Sequence, residues 1–145
     1  MYKKLIITFE GIEGSGKSFH INKVSNYLKK RKIPFVKLRE PGGSKNSEKI
    51  RKLILDKKSN FNINTDLLLY LAARSENIET IIKKFYKKKV ILIDRFIDST
   101  TAYQHFGMGI DKKIIIKLNN YLLKQIKVHF TFLHVVSERN LKLRL

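Results

Sequence analysis

The chain has 145 residues, enough for one domain with a substantial core, and no cysteine, which excludes a disulfide framework and any thiolate metal site. The N-terminus shows no cleavable apolar segment and no apolar run approaches the roughly 20 residues that span a bilayer, so a cytoplasmic protein is expected. The formal charge of +19 admits nucleic-acid binding or attraction of anionic nucleotides, but lysine is spread along a chain crowded with Lys, Ile and Asn, whose codons are AT-rich. Nucleic acid is therefore not the expected partner.

Strand and helix signals alternate along the chain, the pattern of a parallel sheet covered by helices. The apolar run Leu5-Ile-Ile-Thr-Phe9 predicts a first strand over about Lys4–Glu10, followed by a helix from Lys17 to about Lys30. Pro34 marks a loop before a second strand, Phe35–Leu38, and Pro41-Gly42-Gly43 reads as a turn. Glu48–Leu55 predicts a short helix with Ile50, Leu53 and Ile54 as its apolar stripe. A long helix follows over Thr65–Phe85, capped by Thr65, with Leu67, Leu71, Ile78, Ile82 and Phe85 at helical spacing.

Val90-Ile-Leu-Ile-Asp94 is a continuous apolar run ending in a carboxylate, the signature of a central buried strand. Ser99–Gln104 suggests a short helix, Phe106–Gly109 a loop, and Asp111 a cap for a helix to about Leu123. His129–Val136 predicts a further strand and Glu138–Leu145 the start of a helix. The basic runs 29–32 and 87–89 fall where helices should end, where cations complement the helix dipole.

Between the first strand and the first helix stands Gly11-Ile12-Glu13-Gly14-Ser15-Gly16-Lys17-Ser18, which fits G-x-x-x-x-G-K-[ST] in the strand–loop–helix setting that the motif requires. Such a loop turns successive N–H groups toward phosphate oxygens and adds the positive end of a helix dipole. Lys17 neutralises the β- and γ-phosphates, and Ser18 can reach Mg2+. Asp94, closing a buried strand, is a second candidate for Mg2+ or its water ligands, and Arg95 would lie in the crevice at the strand ends, where ligands bind in open α/β sheets.

Arg39 follows the second strand at the same edge. Tyr70 and Arg74 are four residues apart on one helix, so an aromatic face and a guanidinium share one side. Ser99-Thr100-Thr101-Ala102-Tyr103-Gln104 adds a row of hydroxyl and amide groups just past Arg95. The four histidines, His20, His105, His129 and His134, have no metal-ligand spacing and are expected to be structural.

The set Phe9–Ser18, Arg39-Glu-Pro-Gly-Gly43, Ala72-Ala-Arg74, Asp94-Arg95, Ser99-x-x-Ala-Tyr-Gln104 and Gly107-x-Gly109-Ile110 resembles thymidylate kinase of the bacterial type in order and spacing, over essentially the whole chain. The resemblance implies a P-loop NTPase fold, a parallel sheet covered by helices on both faces, and transfer of the ATP γ-phosphoryl group to dTMP with Mg2+. It further implies that Lys17 and the loop Gly11–Ser18 hold ATP and that Ser18, with Asp94, serves the metal. Glu13 falls near the acceptor, Arg95 holds the dTMP phosphate, and Arg39 assists there. Tyr70 stacks on thymine, Arg74 and Thr100 meet its polar edges, Tyr103 packs by the deoxyribose, and Gln104 joins the same site. A homodimer through helix faces is implied as well.

Family members continue past the equivalent of Leu145 through an arginine-bearing lid, a strand and a helix. This sequence is accordingly expected to be C-terminally truncated: a fragment, a shortened product, or a chain completed by a partner. With no Arg in Glu13-Gly14-Ser15, only Arg139 or Arg144 is left to supply a transition-state cation. Other readings are a different nucleoside or nucleotide kinase of the same fold, or a non-catalytic nucleotide-binding remnant.

Overall fold

The computed structural model describes residues 5–144. Four parallel strands, β1 (Ile6–Glu10), β2 (Phe35–Arg39), β3 (Val90–Asp94) and β4 (Phe130–Leu133), lie in the order β2-β3-β1-β4. Their register pairs Phe9 with Asp94 and Arg39 with Asp94, so the carboxyl ends of β1, β2 and β3 finish level. That level edge is where the functional groups gather.

Strand alternation assigns the two faces of the sheet. Val90 and Leu92 join Phe9 against Ile21 and Leu28 of helix α1 (Lys17–Lys30). Ile91 and Ile93 join Ile6 and Leu38 on the opposite face, against Ile78, Ile82, Leu123 and Ile126. A third cluster packs Leu67 and Leu71 against Ile110 and Ile115, docking helix α6 (Lys112–Leu123) on helix α3 (Ile63–Asn77). No helix among the described residues is long and apolar enough to cross a membrane.

Several boundaries differ from the sequence expectations for physical reasons. β1 starts at Ile6, and Lys4 lies outside the described residues. β2 runs on to Arg39 through its pairing with Asp94. Helix α2 (Lys45–Leu55) starts three residues before Glu48, because Ser44 caps it by accepting from the Ser47 amide, and Leu53 of the expected stripe is exposed.

The long helix begins at Ile63, not Thr65. Asn62 is its cap, its side-chain oxygen accepting from the Asn64 and Thr65 amides at 3.1 and 3.0 Å. The same helix then widens into a π-type turn (Ile78–Ile82) before the short α4 (Lys83–Phe85). The expected short helix at Ser99 starts earlier, as α5 (Ile97–Thr100), and continues as a second π-type turn (Thr101–Gly107) that absorbs Phe106 and Gly107 from the expected loop. β4 is shorter than the expected His129–Val136 and is exposed along its length. The final helix, α7 (Glu138–Lys142), is capped by Ser137, and Leu145 lies outside the described residues.

Replacing an Asn cap by Ala typically costs about 1 kcal/mol. Asn62→Ala should therefore lower stability in urea denaturation by about that amount, with Thr65→Ala nearly neutral. The reverse ranking would restore Thr65 as the cap.

Candidate active site

One cleft of about 1450 Å³ opens over the carboxyl ends of the strands. That exceeds the roughly 300–1,000 Å³ of a site for one small ligand. Its two ends are built differently.

At one end lies the phosphate loop. Gly16 caps α1 with φ 93°, a left-handed backbone that leads into the first helical amides. A Cβ on Gly11 would meet the His134 carbonyl at 2.5 Å, so only glycine lets β4 close against the loop. Lys17 is 7% exposed and donates to the Ile12 carbonyl at 3.0 Å. Burial, and next the charge of Arg95, lowers its pKa from the usual lysine range. Ser18 is exposed at the mouth of the cleft, and Asp94 brings a buried Oδ1 with no hydrogen-bond partner. Among the described residues no cluster of three or more His, Cys, Asp or Glu forms a metal cage. An unpartnered carboxylate oxygen beside a hydroxyl and a phosphate-binding loop fits Mg2+, which is commonly held by one or two protein oxygens and substrate phosphates.

At the other end stands Arg74. Its side chain is 2% exposed. Nε donates to Glu40 Oε2 at 2.7 Å, Nη2 to the Thr100 hydroxyl at 2.9 Å, and Nη1 to Asn119 Oδ1, while the Phe96 ring lies 4.9 Å from Cζ. Glu40 is in turn held by Asn77, whose Nδ2 donates to Glu40 Oε1 and to the Gly42 carbonyl. Burial pushes the Glu40 carboxyl up, and the Arg74 charge pulls it back.

Gln104, 1% exposed, is oriented by the chemistry of its neighbour. Asp66 Oδ2 can only accept when ionised, so the amide NH2 faces it at 3.0 Å. The Gln104 Oε1 is left buried with no partner, and Gln104 lines the cleft. Tyr70, one turn before Arg74 on α3, lines the cleft half-buried, and burial raises its phenol pKa.

Arg95 sits between the two ends with φ 65°, its Nη1 donating to the Tyr103 hydroxyl at 3.0 Å. The turn that follows it is pinned to β1 by Glu10, which accepts from the Phe96 amide at 2.8 Å and from the Ser99 hydroxyl. Burial is the main influence that raises the Glu10 pKa.

The cleft thus brings together Glu13, Gly14, Ser15, Gly16, Lys17, Ser18, Arg39, Tyr70, Arg74, Asp94, Arg95, Thr100, Tyr103 and Gln104, while Gly11 and Ile12 lie outside its wall. Arg39 is turned partly toward Glu48, 3.5 Å away, and Glu48 is held below the usual carboxylate range chiefly by the Gly43 amide. Arg144 donates to the Gly14 carbonyl at 3.0 Å and lines the cleft, whereas Arg139 does not.

Four contributors escaped the sequence reading. Arg51 lines the cleft and donates to the Pro41 carbonyl at 2.7 Å. His20 and His134 face each other there with ring centroids 4.8 Å apart, the His134 Nε2 buried without a partner. Asn119 holds Arg74 from α6.

A model of the thymidylate kinase family matches residues 9–145. The chain belongs to the thymidylate kinase family. It is 45% identical over 129 residues to a thymidylate kinase of Sulfurihydrogenibium sp. (strain YO3AOP1), covering 88% of this chain and 63% of that protein. It is 47% identical over 107 residues to one of Chlorobium chlorochromatii (strain CaD3), covering 73% and 48%. A crystal structure of thymidylate kinase from Ehrlichia chaffeensis superposes with a TM-score of 0.87 at 37% identity, covering 99% of this chain and 78% of that one. The chain spans about half to two thirds of the length of these two curated relatives.

Removing one partner of a buried ion pair typically costs about 3–5 kcal/mol. Glu40→Leu in this thymidylate-kinase-family chain should lower stability by about that much in urea denaturation, because Arg74 is left buried and unpaired. A loss below about 1 kcal/mol would mean that the pair is solvated in solution.

Proposed function

We propose that the chain transfers the ATP γ-phosphoryl group to dTMP, giving dTDP. The observation that carries this reading is the pairing of a fixed donor, Arg74, with an orphaned acceptor, Gln104 Oε1, on one wall of the cleft, opposite a phosphate loop. Thymine presents carbonyl acceptors and one N–H donor, so this wall offers the complement. Arg74 faces a carbonyl, Gln104 Oε1 takes the N–H, and the Thr100 hydroxyl, already accepting from Arg74, keeps its proton for the other polar edge. Tyr70 stacks on the base, Tyr103 packs by the deoxyribose, and Arg95 holds the acceptor phosphate, assisted by Arg39. The loop amides and Lys17 hold the ATP phosphates, with Glu13 near the acceptor.

The reaction asks for positioning and charge neutralisation rather than a covalent intermediate. An acceptor phosphate oxygen forms the new bond to the γ-phosphorus as the bond to the β,γ-bridging oxygen breaks, and ADP leaves. The nucleophile is already an anionic oxygen, so no strong general base is needed. Ser18 and Asp94 Oδ1 are the donors for Mg2+, whose chemistry when bound is to neutralise the β- and γ-phosphate oxygens. Arg144, on the Gly14 carbonyl, brings a further cation to the same end.

The chain is further proposed to act as a cytoplasmic homodimer. Leu68 of α3 is 58% exposed, and Ile114 and Ile116 of α6 are exposed too, apolar surface that a second copy would cover. Light scattering that gives a monomer at high concentration would contradict this.

The test of function is ADP formation with ATP, Mg2+ and a series of acceptors. dTMP should support turnover, with thymidine and dGMP far behind; a preference for thymidine would overturn the reading. Lys17→Ala should lower dTMP-dependent turnover by about 10²–10³-fold. Gln104→Leu should raise the KM for dTMP about tenfold and leave that for ATP unchanged.

A further inference from the structure

We propose that Asn119 is a positioning residue that sets the Arg74 guanidinium for base recognition. The inference rests on the dTMP reading above and goes beyond it, because Asn119 belongs to no phosphate or base motif and lies outside the cleft wall.

The Arg74 side chain is held at three different nitrogens by three different elements. Glu40 at the end of β2 takes Nε, Thr100 on α5 takes Nη2, and Asn119 on α6 takes Nη1. Three anchors define the guanidinium plane, whereas two leave it free to turn about the line between them. A guanidinium only donates, so the atom that faces Nη1 is the Asn119 oxygen. Arg74 thereby uses three of its five N–H bonds, and the remaining two are aimed by the plane so fixed.

Asn119 is 5% exposed and lies between Ile115 and Leu123, both buried, at i−4 and i+4 on α6. It is the polar residue at the centre of an apolar helical stripe, a place where leucine would ordinarily stand. A buried polar side chain is costly unless it is paired, and its hydrogen bond here is the one to Arg74. Glu40 and Thr100 are bonded at the other two nitrogens, so Asn119 is the partner of Nη1. With Asn119 removed, an Nη1 donor inside a 2%-exposed side chain loses its acceptor, and the guanidinium swings to find another. The charge of Arg74 would remain in place; its direction would be lost.

The test titrates dTMP and ATP separately into the 145-residue chain, as wild type, Asn119→Leu and Asn119→Asp. Leucine keeps the volume and removes the acceptor; aspartate keeps an acceptor. Asn119→Leu should weaken dTMP about tenfold or more while ATP binding holds, because a buried hydrogen bond to a charged group is lost. Asn119→Asp should restore dTMP affinity to near the wild-type value. Wild-type dTMP affinity in Asn119→Leu, parallel loss of dTMP and ATP, or failure of Asn119→Asp to rescue would each overturn the positioning role while leaving the function reading intact. A wild type that does not bind dTMP would overturn the function reading and this inference together.

Discussion

The buried ion pair of Arg74 with Glu40 is the constraint around which one end of the cleft, the proposed acceptor end, is organised. Two charges are held almost out of water, and such a pair persists only where further hydrogen bonds satisfy both groups. Here they do. Thr100 and Asn119 take the other guanidinium nitrogens, Asn77 donates to the carboxylate, and the Phe96 ring covers the cation. Through this one cluster the end of β2, the last turn of α3, the turn after β3 and helix α6 are tied together. A guanidinium so placed is rigid as well as charged, which suits reading a flat, polar base edge.

The phosphate end follows another logic. It depends on backbone amides, glycine conformations and converging cations rather than on a buried network. Lys17, Arg95 and Arg144 all line the cleft, and burial together with the nearby Arg95 lowers the Lys17 pKa. Converging cations of this kind attract phosphate groups. The Gly11 contact with His134 and the His20–His134 pair press β4 onto the loop from the side. One end is thus prepared by rigidity and the other by charge, the division of labour that the proposed phosphoryl transfer calls for.

Much of this was legible in the sequence, where the controlling interactions are local. The phosphate loop, α1, β3, and α6 with its Asp111 cap each follow from a short pattern of spacing and turn chemistry. The start of α3 was misplaced because Asn62 and Thr65 are both competent caps, and only the observed hydrogen bonds decide between them. The π-type turns at 78–82 and 101–107 leave no compositional mark that separates them from ordinary helix. All the expected site residues but Gly11 and Ile12 line the cleft, but their state does not follow from spacing. That Tyr70 and Arg74 share a helix face is visible; that Arg74 is buried and triply held depends on contacts with residues up to 45 positions away. Asn119 carried a faint signal, a polar residue in an apolar stripe. Arg51 and His134 carried none, since a lysine-rich helix and a strand-end histidine are commonplace on their own.

The most direct test of the account is the crystal structure of this chain with dTMP. The account predicts thymine on Tyr70, a base carbonyl on Arg74, the base N–H on Gln104 Oε1 and the phosphate on Arg95, with the Arg74–Glu40–Asn119 cluster unmoved. A base bound away from that wall, or an Arg74 that leaves Glu40 to reach it, would contradict the claim that the acceptor site is built on a fixed, buried guanidinium.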